Sequence, residues 1–128
     1  MTVGDGHSGI GKTLYTWDSD VERVVQRLHS RYSAISVNTY TCHPFCGWER
    51  RSLDVWGAAG RGQPLSTTFS KQILAFLFNM PGEPLIRHYI LDHVIWTSFG
   101  GYGVWPRDDH TGLLRHVHVT YWPVPPVG

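Results

Sequence analysis

The alternation of apolar and polar positions divides this chain into two helical and several extended stretches. Val21, Val24, Val25, Leu28 and Tyr32 recur at helical spacing and predict a first helix; Asp18 or Ser19 can cap it, and Ser19 and Glu22 have capping-box spacing. From Ala34 to Thr41 the pattern switches to period two, Ile35, Val37 and Thr39 alternating with Ser36, Asn38 and Tyr40, which predicts a strand. Arg51 to Trp56 reads as a second strand, carrying one carboxylate, Asp54, among apolar residues. Ser66 or Thr67 starts a second helix through Phe69, Ile73, Leu74, Leu77 and Phe78, ending before Pro81-Gly82. Leu85 to Leu91 and Val94 to Thr97 read as a hairpin turning at Asp92-His93. Ser98 to His110, rich in glycine and holding Trp105, reads as a long loop leading to a final strand, Arg115 to Tyr121. Two helices, four or five strands and late hairpins together predict an α+β single domain with an antiparallel sheet over residues 17–128.

Residues 1–16 are polar and glycine-rich and read as a flexible N-terminal tail. Gly6 to Thr13 matches the spacing of a phosphate-binding loop. With no strand before it and no helix start after it, backbone amides could not converge on a phosphate.

Composition then narrows the class. The 128 residues are 41% hydrophobic and 16% charged, which excludes disorder as the main state. A net charge of +1 with scattered Lys and Arg gives no footprint for nucleic acid, and no apolar run is long enough for membrane insertion. Nothing in the pattern fixes an oligomeric state. Eight histidines and six tryptophans are the unusual feature.

Those histidines point to chemistry. On the last strand His116 and His118 lie two apart and share a face. Two neighbouring imidazoles cost desolvation and repel when protonated, so a shared job is expected, and zinc is the usual one. Zinc sites that catalyse keep three protein ligands and one open position; the residues available are His43, Asp54 and His118, with His116 as ligand or orienting group. Cys42 and Cys46 can close a small disulfide loop, supply thiolates to zinc or remain two thiols; the short, turn-rich segment favours the disulfide. Arg51 is a candidate grip for a substrate carboxylate, and Trp48 and Trp105, both in loops, for lining a peptide or glycan groove.

In the order His, Asp, His-x-His, in the approach Gly47-Trp48-Glu49-Arg50-Arg51-Ser52-Leu53-Asp54 and in the ending His116-Val117-His118-Val119-Thr120, the chain resembles the zinc D-alanyl-D-alanine peptidases, a fold group shared with lysostaphin-type endopeptidases and the Hedgehog domain. The resemblance implies zinc on His43, Asp54 and His118, with His116 beside the reacting centre. It also implies peptidoglycan peptide as substrate, a carboxypeptidase or endopeptidase reaction, and an extracellular, cell-wall or phage-associated setting. The chain departs from that pattern at Gly47, where the family places its first histidine, and at Arg115, where it commonly places an acidic base. Asp109 and His110 are then the expected catalytic assistants, Asp108 and Glu49 being the other carboxylates available. A domain that keeps zinc but has lost hydrolysis is the alternative expectation.

Overall fold

A computed structural model describes residues 2–3, 15–39, 50–60 and 62–123. The four valine and leucine positions spaced along the first predicted helix are fully buried in α1 (Ser19–Arg31), as their spacing requires. Its N-terminus differs from the expected capping box. Asp18 stands at the N-cap with no side-chain cap bond, because its carboxylate turns to Arg50 (3.2 Å) and Arg51 (3.4 Å) instead. In α2 (Thr67–Phe78) the Ser66 hydroxyl does accept the Phe69 N–H at 3.1 Å, and Ile73 and Leu77 are buried.

The strands are β1 (Thr2–Val3), β2 (Tyr15–Thr16), β3 (Ile35–Thr39), β4 (Ser52–Gly57), β5 (Ile86–Leu91), β6 (Val94–Thr97), β7 (Gly101–Val104) and β8 (Val117–Tyr121). Six of them form one antiparallel sheet in the order β3-β4-β8-β5-β6-β7. The domain is therefore α+β, with a six-stranded antiparallel sheet and two helices. The last strand is not at an edge: β8 lies between β4 and β5, so the His-x-His segment runs through the centre of the sheet.

Two regions differ from expectation. Gly101 to Val104, read as loop, is the edge strand β7, paired with β6 from Val94↔Val104 to Thr97↔Gly101. Its alternating glycines hide the period-two signal, since only Tyr102 and Val104 carry side chains. At the other end, β1 and β2 form a short antiparallel ladder, Thr2↔Thr16 and Val3↔Tyr15, within the stretch expected to be a tail. Gly6 to Thr13 lie outside the described residues.

Strand alternation gives the sheet two different faces. Ile35, Val37, Leu53, Val55, Tyr89, Leu91, Val117, Val119 and Tyr121 join the helix side chains in one apolar cluster. Burying each large aliphatic side chain there contributes about 1.5–3 kcal/mol before entropy is counted. The alternate residues, Ser52, Asp54 and Trp56 on β4 with His118 and Thr120 on β8, occupy the opposite face, and they are buried too. No described helix is long and apolar enough to cross a membrane.

Candidate functional site

The register of β4 against β8 sets Asp54 directly opposite His118. Cross-strand partners stand about 5 Å apart at their Cβ atoms, so a carboxylate and an imidazole must meet. They do: His118 Nδ1 is 2.8 Å from Asp54 Oδ1. Asp54 has no exposed surface and His118 is 3% exposed, a depth at which an ionised carboxylate needs compensating partners.

Behind His118 the polar chain continues. Its Nε2 is 3.1 Å from the Thr120 hydroxyl, which is in turn 2.8 Å from the Ser52 hydroxyl. Both hydroxyls can donate or accept, so the relay serves either ring tautomer. With a proton on Nδ1, Thr120 donates to Nε2; with Nδ1 bare, Nε2–H donates to Thr120.

His116 is held on all sides. Its ring stacks on the Trp56 indole, with centroids 4.0 Å apart and planes 12° apart, and on the His110 ring at 4.2 Å and 23°. Its Nδ1 lies 2.8 Å from the Leu114 carbonyl oxygen. A carbonyl only accepts, so Nδ1 carries a proton; Nε2 then presents a lone pair in the neutral ring and an N–H in the charged one. That Nε2 faces Asp54 Oδ1 at 3.6 Å. A lone pair and a carboxylate oxygen at this separation repel unless a proton or a cation lies between them.

His118 Nδ1 and His116 Nε2 converge on one carboxylate oxygen at 2.8 and 3.6 Å. In a tetrahedral zinc site with bonds near 2.0–2.1 Å the ligand atoms stand roughly 3.3 Å apart, so the 2.8 Å between His118 Nδ1 and Asp54 Oδ1 would have to open for both to bind one ion. The Thr120 hydroxyl sits where a ligand histidine needs an acceptor for its second nitrogen. Among the described residues no three His, Cys, Asp or Glu side chains form a group that could hold a metal ion. His43, the third member of the ligand set read from the sequence, lies outside the described residues, as do Cys42, Cys46 and Trp48.

The two expected assistants are next to this centre. His110 is 1% exposed, and its Nδ1 donates to Asp109 Oδ1 at 2.6 Å. The same oxygen accepts the Trp105 indole N–H at 2.8 Å. Burial, followed by the neighbouring His116 and His118, lowers the His110 pKa to about 3 against the opposing pull of Asp109 and Asp54. His110 is thus a neutral imidazole at physiological pH, with Nε2 as its lone-pair atom. His88 is a fourth histidine at the site, its ring 5.4 Å from that of His118. Burial first, then His118 and Arg87, bring its pKa down to about 3 as well.

Two residues read as functional have other work. Arg51 is buried, and its guanidinium spans both carboxylate oxygens of Asp20 and reaches the Trp122 carbonyl. It anchors the start of α1 to the end of β8 instead of gripping a substrate. Asp108 is exposed and bonded to His93 at 2.7 Å, which leaves Asp109 as the carboxylate of that loop beside the histidines. Arg115 turns from the cluster to Asp92, 2.8 Å away.

Ser52, Trp56, His88 and Thr120 are not among the metal or catalytic candidates that the sequence offers. Period-two spacing from Asp54 and His118 would have placed the serine, the tryptophan and the threonine on the same face. Only the strand order could bring in His88, whose register partner is Thr120. Compared with protein-family models, with curated proteins and with solved structures, the chain matches none.

Proposed function

We propose that this face binds zinc and hydrolyses amide bonds in bacterial cell-wall peptides, as a carboxypeptidase or an endopeptidase acting outside the cell or in phage lysis. The observation that carries the reading is the convergence of His118 Nδ1 and His116 Nε2 on Asp54 Oδ1 in the buried centre of the sheet. His43 completes the ligand set in this reading. Zinc bound there would supply a Lewis acid for the scissile carbonyl and a water of lowered pKa.

The chain's own residues supply the rest. Thr120 and Ser52 fix the His118 ring so that Nδ1 faces the centre. His116 Nε2 takes the proton of the attacking water while Leu114 holds the opposite N–H. The Asp54 carboxylate and the face of Trp56 both stabilise the imidazolium that forms. The same nitrogen then returns the proton to the leaving amine. His110, oriented by Asp109, packs against the other side of His116 and keeps that ring in line.

Arg115 favours a second reading. At the position of the acidic base it carries a guanidinium engaged by Asp92, as expected of a zinc-holding domain that binds peptidoglycan or a protein partner without cutting. Metal analysis followed by release of soluble fragments from peptidoglycan, with and without a chelator, separates the two. About one zinc per chain with chelator-sensitive release supports hydrolysis. In that case His116→Ala should keep the metal and lower turnover by about 10²–10⁴-fold, whereas Asp54→Ala and His118→Ala should lose the metal. Zinc without release from any wall type selects the binding domain, and absence of zinc from the purified protein sinks both readings.

A further inference from the structure

On the helix side of the sheet, away from the histidines, Tyr89, Trp96 and Tyr102 stand side by side on β5, β6 and β7. Their registers are direct, Tyr89↔Trp96 and Trp96↔Tyr102. The Tyr89 and Trp96 rings lie nearly parallel at 6.0 Å. Phe78, at the end of α2, meets Trp96 edge-on at 5.1 Å and Tyr89 at 5.8 Å. Lys71, Leu74 and Ala75 of α2 close the other wall, leaving an open groove of about 360 Å³.

This row differs from an ordinary cross-strand aromatic ladder in what it leaves uncovered. Tyr102, on the edge strand β7, is 75% exposed, and Phe78, at the end of α2, is 44% exposed. The groove is small: seven residues line it, where a stable protein interface uses roughly 20–30 residues a side. Its volume lies at the low end for small-molecule clefts, enough for a ring-sized group and too little for a helix. Flat aromatic faces match the C–H face of a pyranose, phenol hydroxyls match its ring hydroxyls, and the Lys71 ammonium has no carboxylate partner among the described residues.

We propose that this groove binds a pyranose ring of the cell-wall glycan strand, holding the strand on one face of the sheet while its peptide branch reaches the histidine face. The identity of the glycan rests on the hydrolase reading, but the groove and the histidine cluster lie on opposite faces and can be tested apart. The experiment uses the full chain labelled with ¹⁵N and peptide-free glycan strands, with a β-linked amino-sugar oligomer as a second probe.

Saturable movement of the Trp96 indole N–H signal is expected. Tyr102→Ala should weaken the affinity about tenfold and cost at most about 1 kcal/mol of stability, since Tyr102 is exposed. Lys71→Ala should weaken an acidic glycan more than a neutral one. Glycan binding that persists in His118→Ala but without any peptide hydrolysis by the wild type would uphold the groove and discard the hydrolase. No movement of Trp96, or binding unchanged in Tyr102→Ala, overturns the groove even if hydrolysis is found. The same holds for a Trp96 signal that depends on protein concentration alone, which would identify a second copy as the occupant.

Discussion

Thr120 has no charge and almost no exposed surface, yet by occupying Nε2 in either tautomer it holds the His118 ring with Nδ1 toward Asp54. Its hydroxyl is the partner of Nε2, and Ser52 is the partner of that hydroxyl. Replacing Thr120 by valine keeps the shape and removes the acceptor, so a zinc ligand at Nδ1 would lose its orientation. Thr120→Val should weaken zinc binding about 10–100-fold, and Thr120→Ser should restore most of it, as read by competition with a chromophoric chelator. A purely packing role for Thr120 would give the opposite order. Arg51 behaves differently, because its partner is an acid. Burial raises the Asp20 carboxyl, but the hydrogen bonds and charge of Arg51 and the Val21 N–H together outweigh it, and the Asp20 pKa falls below 3.8. A folded-state pKa below the unfolded value means stability that is present above about pH 4 and lost as pH falls through the folded pKa. Asp20→Asn should therefore cost about 3 kcal/mol at pH 7, from a buried guanidinium left with only its longer carboxylate contact, to Asp18. That cost should shrink as urea midpoints are compared at pH 7, 4 and 2. The pairing of His116 with His118 was legible from alternation alone. The role of Arg51 was not, because a sequence gives a charge its position but not its partner.

At the scale of elements, β7 separates what hydrophobic patterning can show from what it hides. The two helices and five of the six sheet strands have side chains that report their period, and they fall close to where the pattern puts them. Gly101-Tyr102-Gly103-Val104 reports half a period only, and its glycines read as punctuation. They are not equivalent in the structure. Gly101 has φ +74°, a left-handed conformation that a side chain resists, whereas Gly103 lacks a positive φ and a Cβ added there would meet Ile95 Cγ2 at an ordinary 3.5 Å. Gly101→Ala should destabilise by about 1–2 kcal/mol. Gly103→Ala should be neutral, or stabilise by a few tenths of a kcal/mol through the unfolded chain. Urea titrations of the two variants test this. Equal costs would mean that the strand, not the left-handed turn, sets the requirement for glycine. The candidate site follows the same division. His116 and His118 were placed by their own element, while the contacts with His88 and Trp56 depend on neighbours chosen by strand order, a property of the whole sheet.

For the molecule as a whole, the unusual feature is that the sheet's central strands β4 and β8 are buried on both faces with only one of them apolar. The helix face gains stability from its aliphatic cluster. The other face keeps a carboxylate, three imidazoles and two hydroxyls at between 0% and 3% exposure, which carries a desolvation cost that hydrogen bonds only partly offset. A bound cation would turn this cost into a gain, because it binds the folded arrangement and not the dispersed ligands of the unfolded chain. At a thousandfold excess of free zinc over Kd the gain is about 4 kcal/mol, or a rise in melting temperature of the order of 10–15 °C for a domain of this size. The expected result is a melting temperature that rises with zinc, falls with chelator and is insensitive to both in His118→Ala. A network of hydrogen bonds with no metal to hold predicts a different pattern. Zinc and chelator would then have no effect on the wild type, and His118→Ala would still be destabilising, since it strands a buried Asp54 carboxylate. Calorimetry of the two proteins under the two conditions thus separates a face built around a cation from one that only satisfies itself.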